Sequence, residues 1–258
     1  MTDSKDRFTD RVDDYVRYRP GYPEEAIAWL VERTGLGPGR DVADVGAGTG
    51  ILTRQLLGTG ARVIAVEPNA AMRDAAAAEL GADPSFAGRF ATSSGSAEET
   101  GLADQSVDVV AAGQAFHWFD PALARAEFAR VLRPPGAVVL LWNLRGDTPL
   151  IRDYEDLLVR FAPGYGEVRM RERAEEGPIR AFFSPGAVAR VRFEHEQRFD
   201  EAGLRGRLLS ASYAPRPGHP LHAPMLQRLS EIFRAHERGG EATFAYETVV
   251  YAGTLGAP

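Results

Sequence analysis

The sequence contains no cysteine, only five histidines and a single lysine, Lys5, among its 30 basic residues. The absence of cysteine excludes disulfide bonds, thiolate nucleophiles and cysteine-type zinc sites. Five histidines provide few imidazole ligands, so we expect no metal site. The preference for arginine over lysine indicates no function by itself.

Long hydrophobic runs are also absent. No stretch approaches the roughly 18 apolar residues of a transmembrane helix, and the charged residues 1–20 lack the apolar core of a secretory signal. These two features predict a cytoplasmic protein with no membrane partner.

The charge balance argues against nucleic acid as a partner. Thirty basic residues stand against 36 acidic ones, which gives a formal net charge of -6. A negative field repels phosphate backbones unless a local basic patch overrides it. The length of 258 residues and the apolar content of 44% fit one folded domain with added elements.

The hydrophobic patterns alternate between strand and helix. Strands are predicted at 41–46, 61–67, 89–94, 107–113, 136–144, 188–199 and 243–255, and helices at 23–35, 49–57, 68–80, 121–132, 149–162 and 225–237. This alternation predicts an α/β fold with a Rossmann-like, doubly wound sheet, mostly parallel, whose last two strands form an antiparallel C-terminal edge. Residues 163–189 show no clean periodicity and are interpreted as a loop or cap.

The strongest motif is Asp-Val-Gly-Ala-Gly-Thr-Gly at 44–50, where a predicted strand enters a predicted helix. Glycines there let the backbone approach a ligand closely at a helix N-terminus. The spacing is G-x-G-x-G, and Ile51 stands where a dinucleotide fingerprint requires its third glycine. Glu67 follows Gly46 by 21 residues, at the end of the second strand, where a carboxylate can hold both ribose hydroxyls.

These residues resemble the class I S-adenosylmethionine-dependent methyltransferases. ADVGAGTG is similar to the first motif of that family, VEPNAAM to its ribose and adenine segment, and GSAEETGLADQSVDVV to the stretch along the adenine edge. AAGQAFHWFD and RVLRPPGAVVLLW resemble the subgroup of trans-aconitate, quinone-type and other small-molecule methyltransferases, the methyltransferase type 11 group. The resemblance covers about residues 8–145 and implies S-adenosylmethionine as cofactor and a small molecule as substrate.

Carried over by position, the resemblance implies a set of cofactor contacts. Where the family often has Asp, this chain has Ser96, so the contact to the adenine amino group weakens, moves to Glu98 or relies on the backbone of Ala97. The implied contacts are Gly46, Ala47, Gly48, Thr49 and Gly50 at the methionine part, Glu67 at the ribose, Pro68 and Met72 at the adenine, Ser96, Ala97 and Glu98 at its edge, and Gln114 and Ala115 at the methionine end.

The resemblance also implies where the acceptor lies. His117 is the candidate general base, with a hydrogen-bonded structural histidine as the alternative. Residues 8–22 are expected to close over the site, with a solvated charged lead-in as the alternative. The candidate acceptor contacts are Tyr18, Arg19, Tyr22, Phe116, His117, Trp118 and Tyr213.

The expected activity is methyl transfer to a small molecule, with O-methylation favoured. The alternatives are a cofactor-binding protein of the same fold without methyl transfer, and an NAD(P)-dependent oxidoreductase, which Ile51 argues against. The expected organisation is a single domain over 1–258, comprising an N-terminal lid and helix at 1–35, a cofactor-binding core at 36–145, cap additions at 149–235 and a final strand at 243–255. The acceptor pocket is expected between the loop at 116–118 and the cap.

Overall fold

The computed structural model describes residues 17–166 and 176–256, and its described strands form one seven-stranded sheet. Every predicted strand is present. The fifth begins at Leu132, before Pro134 and Pro135, rather than at residue 136. The strands are β1 (Asp41–Val45), β2 (Arg62–Val66), β3 (Phe90–Ser93), β4 (Val107–Gly113), β5 (Leu132–Arg145), β6 (Val188–Phe199) and β7 (Ala242–Gly253).

The strand order across the sheet is β3-β2-β1-β4-β5-β7-β6. Strands β1 to β5 pair in parallel, whereas β7 pairs antiparallel with both β5 and β6. The predicted Rossmann-like sheet with an antiparallel C-terminal pair is confirmed. The last strand of the chain lies inside the sheet, and β6, which the predicted division assigns to the cap, is its outer strand.

Helices cover both faces of the sheet and one end of it. Six of them match predicted helices. The helices at Glu176–Phe183 (α6) and Glu201–Leu209 (α7) were not predicted, because glycine or proline interrupts both segments. The Asp200 carboxylate caps α7 by accepting from the Gly203 N–H at 2.7 Å. The helices are α1 (Glu24–Thr34), α2 (Ile51–Gly58), α3 (Ala70–Gly81), α4 (Pro121–Val131), α5 (Pro149–Phe161), α6 (Glu176–Phe183), α7 (Glu201–Leu209) and α8 (His222–His236).

The apolar core follows the pleat of the sheet. In β5, Leu141 and Trp142 are both buried but belong to clusters on opposite faces, as successive strand residues must. A third cluster joins α5, α7 and α8 to the start of β7, with Tyr154, Leu204 and Phe244 at its centre. The elements that follow β5 therefore have a core of their own.

The topology predicts where a ligand binds. From β1 the chain continues outward to β2 and β3, whereas β4 lies on the other side of β1 and leads to β5. In open α/β sheets, ligands bind beyond the carboxyl ends of the strands at such a reversal of strand order. The glycine motif follows β1 directly and so lies at this point.

Two predictions fall partly outside the described residues. Of the covering segment expected at 8–22, residues 8–16 lie outside, and so do residues 167–175 of the predicted loop or cap. Within the described ranges, no helix combines the length and the apolar character needed to span a bilayer.

Candidate active site

A cavity opens at the carboxyl ends of β1, β2 and β4, at the reversal of strand order, and we call it the inner cavity. The described residues 17–22, which we call the N-terminal segment, and α7 cover it from the side. Its lining consists of Arg19, Pro20 and Tyr22; Asp44, Gly46, Ala47 and Gly48; Ile51 and Leu52; Glu67, Pro68, Asn69 and Met72; Ser96, Ala97 and Glu98; Gly113, Gln114, Ala115, Trp118 and Phe119; and Arg207.

The floor of the inner cavity is the glycine loop after β1. Gly46 has φ +70°, and a Cβ added to it would lie 2.6 Å from the Cβ of Ala115. Gly48 has φ +58° and no atom closer than 4.0 Å to such a Cβ, so its side opens toward the cavity. Glycine is required at both positions because of the left-handed backbone, and at Gly46 also because of the close approach.

The Glu67 carboxylate lies at the end of β2 and is held by backbone donors. Its Oε2 accepts from the Gly48 N–H and its Oε1 from the Asn69 N–H, both at 2.8 Å. Burial raises the pKa of Glu67, and the two backbone hydrogen bonds and Arg73 oppose that rise. Each carboxylate oxygen keeps a lone pair for a further donor in the cavity.

Asp44 provides a second buried carboxylate one step before the glycine loop. Burial raises its pKa to about 7, against a hydrogen bond from the Thr53 hydroxyl at 2.6 Å, and the nearby charge of Glu67 adds to the rise. Its Oδ1 is buried and has no hydrogen-bond partner among the described residues. A buried acceptor of this kind costs free energy unless a ligand supplies a donor or a positive charge.

The far end of the inner cavity combines an apolar wall with polar edges. Met72 belongs to the first turn of α3, where the Asn69 side chain accepts from the Met72 N–H at 3.0 Å. Ser96, Ala97 and Glu98 face it across the cavity, and Glu98 accepts from the Asp120 N–H at 2.9 Å. This end suits a flat ring with polar atoms at its rim.

A second cavity, the outer cavity, joins the inner one at three shared residues, Arg19, Gln114 and Arg207. Gln114 lies directly after β4 with φ +55°, a left-handed conformation that is costly for a residue with a side chain. Its N–H donates to the Leu141 carbonyl at 2.9 Å and its side-chain amide to the Asn143 carbonyl at 3.1 Å. Neighbouring strands thus hold Gln114 at the junction.

The backbone of the N-terminal segment is held beside this junction by hydrogen bonds to the side chains of Gln55 and Asn143. The Gln55 side chain accepts from the Tyr22 N–H at 2.8 Å and donates to the Tyr22 carbonyl at 2.6 Å. The Asn143 side chain donates to the Gly21 carbonyl at 2.9 Å. A Cβ added to Gly113 would lie 2.4 Å from the Tyr22 hydroxyl, so the end of β4 leaves room for that ring.

Comparison with known proteins shows which proteins the chain resembles. A family model described as a methyltransferase domain matches residues 43–140, which include the glycine loop and Glu67. Methyltransferases of Mycobacterium tuberculosis and Mycobacterium bovis, both described as uncharacterized, are 45% identical over 140 residues. In sequence and fold the chain is therefore similar to class I S-adenosylmethionine-dependent methyltransferases.

A solved structure extends the likeness over nearly the whole methyltransferase fold. A protein of Anaeromyxobacter dehalogenans, provisionally described as a type II methyltransferase, has 27% identity and a TM-score of 0.64, over 92% of this chain and 98% of its own. The mycobacterial matches cover 54% of this chain, and the chain spans about half, 53%, of the length of those curated relatives.

The structure brings most of the predicted cofactor contacts to one cavity. Eleven of the thirteen line the inner cavity, together with Arg19, Tyr22 and Trp118 from the predicted acceptor contacts. Thr49 and Gly50 do not line it. A Cβ on Gly50 would lie 2.7 Å from Leu80, so this glycine permits packing of the loop against α3.

Four predicted acceptor contacts line neither cavity: Tyr18, Phe116, His117 and Tyr213. Phe116 is buried in the core, edge-on to Trp142 and Phe182. Tyr213 lies against Tyr165, and its hydroxyl accepts from Arg145 at 3.3 Å. Nothing in the strand-end pattern of the sequence distinguishes these rings from cavity walls.

Eight residues of the inner lining were not among the predicted contacts, and two of them, Asp44 and Arg207, are charged. Asp44 directly precedes the glycine loop, and this position alone could have marked it. Arg207 had no local signal, since it lies on the unpredicted helix α7, far along the chain. Among the residues described, no group of three or more acidic or histidine side chains is placed to bind a metal ion.

The residues present fit S-adenosylmethionine. The glycine loop leaves room for close contact, the orphaned Asp44 oxygen can accept from an ammonium group, and Glu67 can accept from ribose hydroxyls. Met72 and the segment 96–98 provide the surroundings for a purine ring.

Proposed function

We propose that this protein transfers the methyl group of S-adenosylmethionine to a small-molecule acceptor, with oxygen as the favoured acceptor atom. One observation carries the proposal. Two buried carboxylates, Asp44 and Glu67, border a glycine-floored cavity that opens at Gln114 into a second cavity. The inner cavity is suited to a cationic nucleoside, and the outer one has room for the acceptor.

When bound, S-adenosylmethionine supplies a methyl group that is already activated by a positively charged sulfur. The chain's own residues therefore have to bind, align and exclude water rather than activate a leaving group. The orphaned Asp44 oxygen can face the cofactor's positively charged ammonium group, and Glu67 can accept from its ribose hydroxyls. Tyr22 and the segment around it cover the junction, held there by Gln55 and Asn143.

A nicotinamide dinucleotide fits the same cavity poorly. Its pyrophosphate would need backbone N–H groups of the glycine loop, but the Gly48 N–H already donates to Glu67 at 2.8 Å. The carboxylates of Asp44 and Glu67 would also repel the phosphate charges. Both features support S-adenosylmethionine over the oxidoreductase alternative.

The choice of oxygen as the acceptor atom is supported by the residue types that line the two cavities. Among the described residues, no histidine lines either cavity. An acceptor oxygen that is already ionised at neutral pH needs no general base. The role of His117 as a base stays a prediction, and His117→Ala tests it, because loss of a general base lowers turnover by about 10²–10⁴-fold.

Calorimetric titrations with S-adenosylmethionine, S-adenosylhomocysteine and NAD in parallel test the proposal. We expect both adenosyl compounds to bind and NAD not to bind. Transfer of labelled methyl from S-adenosylmethionine to a panel of small hydroxyl and carboxyl compounds then tests turnover. Equal affinity for NAD would overturn the cofactor assignment, and binding without transfer to any acceptor would favour the non-catalytic alternative.

A further inference from the structure

Arg207 is a fully buried cation at the junction of the two cavities. It is 3% exposed and lines both of them. Its Nε donates to the Tyr246 hydroxyl at 2.9 Å, and that hydroxyl donates onward to Gln197 at 2.9 Å. The guanidinium also lies over the Phe244 ring at 5.5 Å, so its stem and one edge are fixed in place.

The other edge of this guanidinium has no partner in the part of the chain that the structure describes. Nη1 is buried without a hydrogen-bond acceptor, and no carboxylate in the described ranges 17–166 and 176–256 forms a salt bridge with Arg207. Arginine stays protonated in proteins, and a buried charge without a counter-ion is costly. The free edge and its position at both cavities indicate that a bound anion supplies the missing partner.

The outer cavity shares this positive character. Its described lining contains six arginines and three carboxylates, in a protein whose net charge is -6. Arg145 pairs with Glu155, and Arg152 pairs with Asp147 at 2.6 Å. Arg19 lines both cavities, as Arg207 does, and its guanidinium donates to the Ser210 carbonyl at 3.4 Å just after α7. The cationic surplus therefore faces the space beyond the cofactor pocket.

We propose that the acceptor carries a carboxylate group, bound at the junction by Arg207 with Arg19 beside it. This assignment rests on the proposed methyl transfer, because it identifies the outer cavity as the acceptor site. A planar guanidinium matches the two oxygens of a carboxylate, and one negative charge balances the buried charge of Arg207. The cofactor's own carboxylate is the rival occupant, and the two are separable by experiment.

The test uses matched pairs of small probes on the protein loaded with S-adenosylhomocysteine. Benzoate and benzamide, and succinate and succinamide, are compared by equilibrium titration at constant ionic strength, with phenyl phosphate as a further arm. We expect each carboxylate to bind at least about tenfold more tightly than its amide, because a charge-assisted hydrogen bond is lost in the amide. Phenyl phosphate should bind more weakly than benzoate.

Three variants assign this preference to Arg207. Arg207→Met should abolish it, Arg207→Lys should restore part of it, and Arg228→Met, an exposed arginine paired with Glu231, should leave it unchanged. Circular dichroism and the thermal midpoint show whether each variant is folded. Unaltered discrimination in Arg207→Met would overturn the proposal, and so would equal binding of carboxylates and amides by the wild-type protein.

Titration of S-adenosylhomocysteine separates this proposal from the general function. We expect S-adenosylhomocysteine to bind the wild-type protein and to bind Arg207→Met with the same affinity. A loss of tenfold or more in that variant would assign Arg207 to the cofactor's carboxylate and overturn the acceptor assignment. No binding to the wild-type protein would instead contradict the proposed function, and the carboxylate preference is then measured on the unloaded protein.

Discussion

The two cavities differ in how the chain builds them. The floor of the inner cavity is formed by loops that directly follow β1, β2 and β4, and the charges at its glycine loop are carboxylates. The outer cavity is formed by the end of β5, α5, α7, β6 and the N-terminal segment, and its charges are mainly arginines. The inner floor comes from neighbouring strand ends, whereas the outer cavity joins segments far apart in the chain, such as those of Arg19 and Arg190.

Under the proposed function, the inner cavity binds the cofactor and the outer cavity selects the acceptor. Backbone geometry and two carboxylates define the inner cavity, so few substitutions there are tolerable. Side chains on added helices define the outer cavity, and they can change without altering the sheet. We therefore expect changes in the inner cavity to affect cofactor affinity and changes at the junction to affect the acceptor.

Gly46→Ala should have the largest effect on cofactor binding. The new Cβ would lie 2.6 Å from that of Ala115 and the backbone has φ +70°, so the loop has to move. We expect the affinity for S-adenosylhomocysteine to fall by about 100-fold or more, which is about 2.7 kcal/mol of binding free energy. The control is Gly88→Ala, which has φ +71° but no atom within 4 Å of a Cβ. Equal losses of affinity in Gly46→Ala and Gly88→Ala would contradict the role of the glycine loop in cofactor binding.

Glu67→Ala should weaken S-adenosylhomocysteine binding by about 1–3 kcal/mol, because a charged acceptor of two hydroxyl groups is lost. Calorimetric titration measures the change. Glu79→Ala, in a half-exposed surface pair with Arg54, is the matched control and should bind normally. Unchanged affinity in Glu67→Ala would remove the ribose assignment.

The pH dependence of stability should report Asp44. Its pKa is about 7 in the folded protein against 3.8 ordinarily, so the folded state binds the extra proton between those values. Stability therefore falls as pH rises from about 4 to about 7, by up to about 1.4 kcal/mol per pH unit. The lowered pKa of Glu127, about 2, has the opposite effect, but only below its ordinary value of 4.5.

Urea unfolding at about pH 5, 6 and 7 measures this slope. Asp44→Asn should reduce it, although the raised pKa of Glu67 acts in the same direction and remains in this variant. Asp74→Asn, at an exposed position on α3, is the control and should keep the slope. A wild-type slope that persists in Asp44→Asn would show that another group titrates in this window.

Gly206→Ala should have the smallest effect on cofactor affinity, because it changes the contact between α7 and the N-terminal segment. Its Cβ would lie 2.1 Å from the Tyr18 ring, so the N-terminal segment has to shift while α7 gains a better helix former. We expect less than about threefold change for S-adenosylhomocysteine, and faster hydrogen exchange at residues 17–22. If the contact with Tyr18 is the cause, Gly206→Ala should have no such effect in a chain that already carries Tyr18→Ala. Gly58→Ala is the control.

Much of the fold was predictable because its signals are local. Val138–Trp142 forms a continuous apolar run, as expected of a strand buried on both faces, and β6 alternates as expected of an outer strand. Helix α7 was not predictable, since Gly203 and Gly206 lower its intrinsic helix propensity. Packing of Leu204 and Leu208 in the third cluster stabilises it in addition to the Asp200 cap.

The sequence by itself determined the glycine loop, the Glu67 carboxylate and the sheet that places them together. Only the tertiary structure decided that His117 lies off the cavity lining and that Arg207 lies on it. Strand ends are positioned by backbone hydrogen bonds with a fixed period, so sequence spacing is enough to locate them. The position of Arg207 depends on how α7 packs against β7 and the N-terminal segment, and long-range packing leaves no periodic signal in the chain.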